Sequence, residues 1–344
     1  MGLHDEIFQQ PAVLTGLLGG QWEWVTGIAE AIRRREPRYV FLAARGTSDH
    51  AGLYAKYLLG SENRLPLALA ATSLFSVYGK PPDLRDALVV GISQSGQSPD
   101  ILSVMDEGRR QGCSTLAIVN DPTSPMARSA EHVIDISAGV EEAVAATKSY
   151  TAQLMAVAML SVALSGDSSR CAELAAVPDR IMEVLRLDGA MKLVAERYRD
   201  MDQCVVLGRG FNFASAFEWS LKLKELAYVV AAPYSSADFQ HGPIAIVNPG
   251  FPVLVVAPKD EVLPDLINVL RRLKDECRAN LLVISDDAEA LALADTPVRI
   301  PGSPAWTSPM VAIVAAQLFC YHLTRAKGYD PEAPRGLNKV TRTS

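Results

Sequence analysis

The sequence predicts an α/β fold built as two similar domains, each a parallel sheet flanked by helices, and three observations carry that prediction. Apolar runs of four to six residues alternate with longer helical patterns, the mark of a parallel sheet covered by helices. The two halves repeat one another: Pro99-Asp100-Ile101-Leu102 and Pro264-Asp265-Leu266-Ile267 lie 165 residues apart, and at the same offset Leu116–Asp121 matches Leu281–Asp286. A chain of 344 residues is long enough for two such domains, each burying a core without metals or disulfides.

Taken in chain order, residues 1–36 read as an N-terminal helical arm. Strands follow at Tyr39–Ala44, Leu67–Ala70, Ala87–Ile92, Thr115–Val119 and His132–Ile136, with helices between them such as Ser48–Leu59 and Pro99–Gln111. Together they make a first domain over residues 37–166, and residues 167–200 form a helical linker. The second domain, residues 201–328, repeats the pattern with strands at Gln203–Gly208, Pro252–Ala257, Asn280–Ser285 and Pro297–Ile300. Its helices include Ala214–Tyr228 and Val262–Glu276. Pro331, Pro334 and Gly336 make residues 329–344 a non-helical tail. The first strands align with a one-residue difference, placing Arg45-Gly46 on Arg209-Gly210, and a period this long means two domains rather than a solenoid.

Composition narrows the function. Thirty-nine acidic against 33 basic residues give a net charge of −6, which argues against nucleic acid as a partner because a phosphate-backbone binder needs a basic face. A small anionic ligand needs only a local site and stays open. The five cysteines form no CxxC pair, and the five histidines show no metal-ligand spacing, so reduced, buried thiols and neither metal nor cofactor are expected. The start Met1-Gly2-Leu3-His4-Asp5-Glu6 lacks the basic and apolar regions of a signal peptide. The most apolar stretches, Thr151–Ser165 and Met310–Cys320, are too short to span a bilayer and read as buried helices. A cytoplasmic protein with no membrane role is expected.

Where the repeat breaks, it is informative. After the third strand the first half has Ser93-Gln94-Ser95-Gly96-Gln97-Ser98, and the second has Pro258-Lys259-Asp260-Glu261. A hydroxyl-rich loop between strand and helix offers backbone N–H groups, the helix dipole and three serine hydroxyls to an anion. It lacks the Gly-Lys-Ser/Thr of a nucleoside triphosphate loop, so a monophosphate suits it, with one anion site per chain in the first half. The same spacing is also met if Ser98 merely caps a helix that opens with Pro99. A second small-residue loop, Arg45-Gly46-Thr47-Ser48-Asp49-His50, follows the first strand, and both loops belong at the carboxyl ends of strands, where such sheets bind ligands. Asp49 and His50 read as ordinary helix-start residues. Gly208-Arg209-Gly210 resembles a dinucleotide fingerprint, but no acidic residue ends a strand about 20 residues later to hold a ribose.

In the helix from Ala214, Glu218 and Lys222 are an (i, i+4) pair, and their spacing alone favours a solvated face. The sharper reading makes Glu225 a general base with Lys222 one turn away adjusting its charge. His241, in a Gln-His-Gly-Pro turn, is placed to shuttle protons near neutral pH. Lys339 sits in a tail that could close over a site.

Together these segments resemble the sugar isomerase (SIS) domain family, in the tandem arrangement of the isomerase half of glucosamine-6-phosphate synthases. The resemblance covers about residues 30–344 and is carried by Arg45-Gly46-Thr47-Ser48, Ser93-Gln94-Ser95-Gly96, Ala145-Ala146-Thr147-Lys148, Leu221-Lys222-Leu223-Lys224-Glu225, His241-Gly242-Pro243 and Pro334-Arg335-Gly336-Leu337-Asn338-Lys339. It implies two flavodoxin-like three-layer sandwiches. It also implies that Ser93, Gln94, Ser95 and Ser98, with Thr47 and Ser48, bind a sugar phosphate, and that the backbone of Val144 and Ala145 lines the sugar. By the same resemblance Glu225 moves a proton between C1 and C2 with Lys222 beside it. His241 opens the sugar ring from the neighbouring subunit of a homodimer, and Lys339 contacts the open-chain sugar and can form a Schiff base.

The synthases draw ammonia from glutamine in a separate N-terminal domain with a catalytic N-terminal cysteine. With Gly2 at position two and about 36 residues before the first strand, glutamine-dependent synthesis by this chain alone is not expected. The segments Gly46–Gly52, Ser76–Lys80, Ser98–Leu102 and Val144–Tyr150 resemble instead the sugar-isomerase-type glucosamine-6-phosphate deaminases. The leading expectation is therefore conversion of glucosamine 6-phosphate and water to fructose 6-phosphate and ammonia. Reaction on fructosamine 6-phosphate or galactosamine 6-phosphate, plain aldose–ketose isomerisation, and a non-catalytic phosphosugar sensor remain the alternatives.

Overall fold

The computed structural model describes residues 2–339. The chain begins with α1 (Leu3–Arg35), β1 (Tyr39–Ala43), α2 (Thr47–Asn63), β2 (Leu67–Leu69), α3 (Ser73–Ser76), β3 (Ala87–Ser93) and α4 (Pro99–Arg110). It continues through β4 (Ser114–Val119), α5 (Pro125–Ser129), β5 (His132–Asp135), α6 (Lys148–Ser165), α7 (Arg170–Ala175), α8 (Val177–Leu185) and α9 (Asp188–Arg197). The second half adds β6 (Gln203–Gly208), α10 (Phe213–Leu226), β7 (Val230–Ser235), α11 (Ser236–Phe239) and β8 (Pro252–Val256). It closes with α12 (Leu263–Asp275), β9 (Asn280–Ser285), α13 (Ala288–Leu293), β10 (Thr296–Arg299) and α14 (Ser308–Ala326).

Among the described residues ten strands form two wholly parallel five-stranded sheets, in the orders β2-β1-β3-β4-β5 and β10-β9-β8-β6-β7. Each sheet starts in its interior, steps once to one edge, then returns and progresses to the other edge, so the internal repeat is a repeat of topology. All seven residues of β3 are buried, as a central parallel strand covered on both faces requires. Val40 pairs with Leu88 and Leu42 with Val90, fixing the β1–β3 register.

Two compact units are distinguished. One comprises residues 12–141 and 146–175 with Asn338 and Lys339; the other comprises Ala176–Leu337, Glu142–Ala145 and the first turns of α1 up to Pro11. The first has a core in which Val89, Ala117 and Val119 of the sheet meet Val104 and Met105 of α4 and Met126 of α5. In the second, Val205, Val253, Val255 and Leu281 meet Leu266, Leu270 and Leu273 of α12. The apolar stretches that read as buried helices are α6 and α14. Every residue of α6 from Lys148 to Ala163 is buried, the expected state of a helix apolar on all sides. No helix among the described residues is long and apolar enough to cross a membrane.

Two sequence expectations are corrected. Val230–Ser235 forms a strand that the apolar runs did not announce; it is an edge strand, half exposed and carrying Pro233, and edges are where a strand tolerates proline. Of the five cysteines, only Cys204 and Cys320 are buried, and the other three are half-buried. Burial pushes the Cys204 thiol up to about 12, which leaves it unreactive. Of the tail, residues 340–344 lie outside the described residues.

Candidate functional site

In the first sheet the progression of strands reverses between β1 and β3, so the loops following those two strands leave neighbouring carboxyl ends. Such a switch point is where open α/β sheets bind ligands. The loop after β3 is the serine loop. Ser93 Oγ accepts from the Gly96 N–H at 3.0 Å, closing a tight turn. Gly96 has φ of 61°, a left-handed conformation that suits glycine. A Cβ at this position would stand 2.2 Å from Ser124 Oγ and 2.5 Å from Ser124 Cβ, so packing demands glycine as well. The turn is fastened by Met126 N–H donating to Gly96 O at 3.1 Å and Asn120 N–H to Gln94 O at 3.3 Å.

Ser98 holds the cap position expected ahead of Pro99, without a side-chain capping bond. Gln94, Ser95 and Ser98 are half-buried, and Ser95 Oγ accepts a long 3.4 Å hydrogen bond from Gln97 N–H. Replacing Gly96 by alanine is expected to weaken inorganic phosphate or sugar-phosphate binding by at least about tenfold, since a left-handed alanine costs roughly 1–2 kcal/mol before any clash. Calorimetric titration checks this, and unchanged affinity would show that the left-handed turn is dispensable.

The loop after β1 is held to the serine loop by a network absent from the sequence reading. Arg45 Nε donates to Asp100 Oδ2 at 2.6 Å and Nη2 to Thr72 Oγ1 at 2.5 Å, while Thr72 Oγ1 donates to Asp100 Oδ2 at 3.1 Å. Asp100 is 2% exposed while the Arg45 side chain reaches solvent, so the carboxylate is buried but the pair is partly screened. It joins the β1 loop to the first turn of α4. The signal lay in the repeat: Arg209 and Asp265 occupy the equivalent places in the second unit, and Arg209 Nη1 lies 3.1 Å from Asp265 Oδ2. Thr47 is half-buried in the first turn of α2, beside Asp49 and His50, and Ser48 is buried with Oγ accepting from Gln153 Nε2 of α6 at 3.0 Å.

The equivalent loop in the second unit carries Asp260 and Glu261. Burial, then the hydrogen bond with Glu261, push Asp260 up to about 6. Two acids at a strand's carboxyl end repel an anion, so this loop does not offer the second unit the anion site expected of the serine loop.

The second unit supplies the titratable cluster. Glu218, Lys222 and Glu225 lie on one face of α10, spaced as helical neighbours. Lys222 Nζ is 3.3 Å from Glu218 Oε1 and 2.6 Å from Glu225 Oε2. The solvated-face reading is corrected: Glu218 and Lys222 are buried, and only Glu225, with 24% of its side chain exposed, reaches water. Burial alone would push Lys222 down, yet the carboxylates of Glu218 and Glu225 carry it above its ordinary value. The result is a partly exposed carboxylate at the helix edge with its Oε2 clamped by a buried ammonium. Such an arrangement orients a proton acceptor. His241 is exposed in the turn after α11, its N–H donating to Asp238 O at 3.0 Å.

Lys339 is engaged within the first unit, its Nζ 2.8 Å from Glu141 Oε2. Glu141 is fully buried and also accepts from the Thr147 and Ser149 N–H groups, each at 3.0 Å, and from Ser149 Oγ at 2.7 Å. Burial would push the Glu141 carboxyl up, but the Lys339 ammonium and these hydrogen bonds hold it below its ordinary value. Sequence reasoning passed over Glu141, although a glutamate six residues ahead of Thr147-Lys148 was visible. Val144 is half-buried and Ala145 buried, in the short segment assigned to the second unit, where Glu6 Oε1 accepts from the Glu142 N–H at 2.5 Å. A cleft of about 800 Å³ lined by Arg35, Tyr39, Arg85 and Cys113 lies at the opposite, amino ends of the first sheet's strands, away from the switch point.

Comparison with known proteins agrees with this architecture. The SIS domain profile matches residues 35–163 and 197–325. The isomerizing glutamine–fructose-6-phosphate aminotransferase of Thermus thermophilus is 34% identical over 97% of the chain, which spans 57% of that relative. Thus the chain covers just over half the length of the curated relatives it matches. Among solved structures, the C-terminal domain of glucosamine-fructose-6-phosphate aminotransferase from Francisella tularensis superposes with a TM-score of 0.88 at 27% identity, covering 96% of this chain and 98% of that one. Glucosamine-6-phosphate deaminase from Thermotoga maritima shares the fold, with a TM-score of 0.76 at 21% identity and 99% of both chains covered. With both matched segments falling on one parallel sheet each, the chain belongs to the SIS domain family, whose domain it carries twice.

Proposed function

We propose that this chain is a glucosamine-6-phosphate deaminase of the sugar isomerase type, taking glucosamine 6-phosphate and water to fructose 6-phosphate and ammonia. The observation that carries the reading is the Glu225 carboxylate at the edge of α10, held at 2.6 Å by the buried Lys222. In the proposed sequence the phosphate is bound by Ser93, Gln94, Ser95 and Ser98, with Thr47 and Ser48 supporting from the β1 loop. His241 of the partner subunit helps open the ring, so the working unit is a homodimer. Glu225 takes the C2 proton and returns one to C1, leaving a ketose imine at C2. Water adds at C2, the C–N bond breaks, and ammonia departs. Lys339 meets the open-chain sugar, exchanging its Glu141 partner for substrate, and the backbone of Val144 and Ala145 lines the sugar. Hydrogen-bond donors meet the enolic charge. The exposed position of His241 and the place of the serine loop at the carboxyl end of β3 support these assignments.

A panel of sugar phosphates tests the reading: glucosamine 6-phosphate, galactosamine 6-phosphate and fructosamine 6-phosphate, each followed by ³¹P NMR in the presence of the purified chain. Consumption of glucosamine 6-phosphate with growth of the fructose 6-phosphate resonance is expected. Turnover of another sugar alone would move the assignment within the phosphosugar class. Binding of all three with turnover of none would make the chain a sensor.

A further inference from the structure

Three side chains outside that chemistry converge in the second unit. His4 stands in the first turn of α1, Asp188 opens α9, and His322 lies near the end of α14. His4 Nε2 is 3.0 Å and His322 Nε2 2.7 Å from the same oxygen, Asp188 Oδ1. The candidate ligand atoms all lie within 4.8 Å of one another. The sequence gives no hint of this, because residues 4, 188 and 322 meet only through folding; the reading that the histidines form no cluster holds along the chain and fails in space.

The surroundings favour a bound ion. The His4 ring is packed between Phe8 and Tyr321, with ring centroids 4.7 and 4.8 Å away, and Tyr321 also lies edge-on to His322 at 5.1 Å. The aromatic rings thus hold both imidazoles in place around the carboxylate. His322 is 10% exposed while His4 and Asp188 are about a third exposed, so the cluster is walled on one side and open to water on the other. The nearby Arg325 guanidinium is engaged by the Tyr321 hydroxyl at 3.0 Å. Two imidazole nitrogens and a carboxylate oxygen on three separate segments form a donor set that borderline first-row ions accept.

We propose that His4, Asp188 and His322 bind a divalent first-row transition-metal ion, zinc by preference, with water completing its coordination. Tetrahedral bonds of about 2.0–2.1 Å place ligand atoms roughly 3.3 Å apart. The present separations of 2.7 and 3.0 Å therefore widen by a few tenths of an ångström on binding, and the two imidazoles, within 4.8 Å of one another, close to a similar spacing through rotation of the partly exposed His4 and Asp188 side chains. The ion would staple the start of α1 to α9 and to the end of α14, a structural role independent of the sugar chemistry.

The test uses the full, untagged chain after treatment with a chelator. Titration with zinc chloride is expected to show one equivalent bound with micromolar or tighter affinity, and cobalt(II) to develop visible absorption bands of a nitrogen- and oxygen-ligated ion. His4→Ala, at a partly exposed position that leaves the core intact, is expected to weaken both signals at least tenfold, and Asp188→Asn likewise. Zinc should raise the melting temperature of the wild type and not of His4→Ala. Absence of saturable binding, or full affinity retained in His4→Ala, would overturn the proposal and leave the three residues as a hydrogen-bonded tie.

Discussion

Glu225→Gln is expected to lower turnover of glucosamine 6-phosphate by roughly 10²- to 10⁴-fold, the range of a positioned general base, while sugar-phosphate affinity stays within about twofold. Glutamine keeps the shape and still accepts a hydrogen bond from Lys222, but it cannot take a proton. The serine loop proposed to hold the phosphate belongs to the first unit and Glu225 to α10 of the second, so under the proposed function the two roles separate in mutation. Steady-state kinetics with calorimetric binding decides it. Equal losses in turnover and affinity would mean that Glu225 organises the structure rather than moving the proton.

Lys222→Met is expected to destabilise the chain by about 3–5 kcal/mol, the usual cost of breaking a buried ion pair by removing one partner. Lys222 is 1% exposed and Glu218 fully buried, so methionine would strand a carboxylate in the core. Pairing it with Glu218→Gln is expected to recover much of the loss, since the stranded charge is then gone. Urea unfolding of the single and double variants measures both, and a loss below about 1 kcal/mol in the single variant would contradict the burial argument. The pH dependence has a definite sign. Because the folded pKa of Lys222 lies above its ordinary value of 10.5, its stabilisation is complete below that pH and is lost only as pH rises through the folded value. This group therefore leaves stability flat between pH 7 and 9.

What could be read from the sequence follows from how each feature is built. Central parallel strands such as β3 and β9 are continuous apolar runs because both faces are covered, so they stand out from composition alone. β7 does not, since an edge strand exposes residues and accepts Pro233. The serine loop was legible because a repeated unit makes its exception visible. The same repeat held the clue to Arg45 and Asp100, whose pairing across 55 residues no local pattern announces. Glu218–Lys222 was misread because an (i, i+4) pair looks the same on a wet and a dry face. The distinguishing signal was its company: Trp219, Ser220, Leu223 and Leu226 are all buried, and Lys224 is the exposed charge of the helix.

The most direct test of the central claim is to mix the purified chain with glucosamine 6-phosphate, without added glutamine or metal, and quantify ammonia and fructose 6-phosphate together. Equal amounts of both, produced by the wild type and lost in Glu225→Gln, are predicted. Detectable sugar binding with neither product would contradict the deaminase assignment.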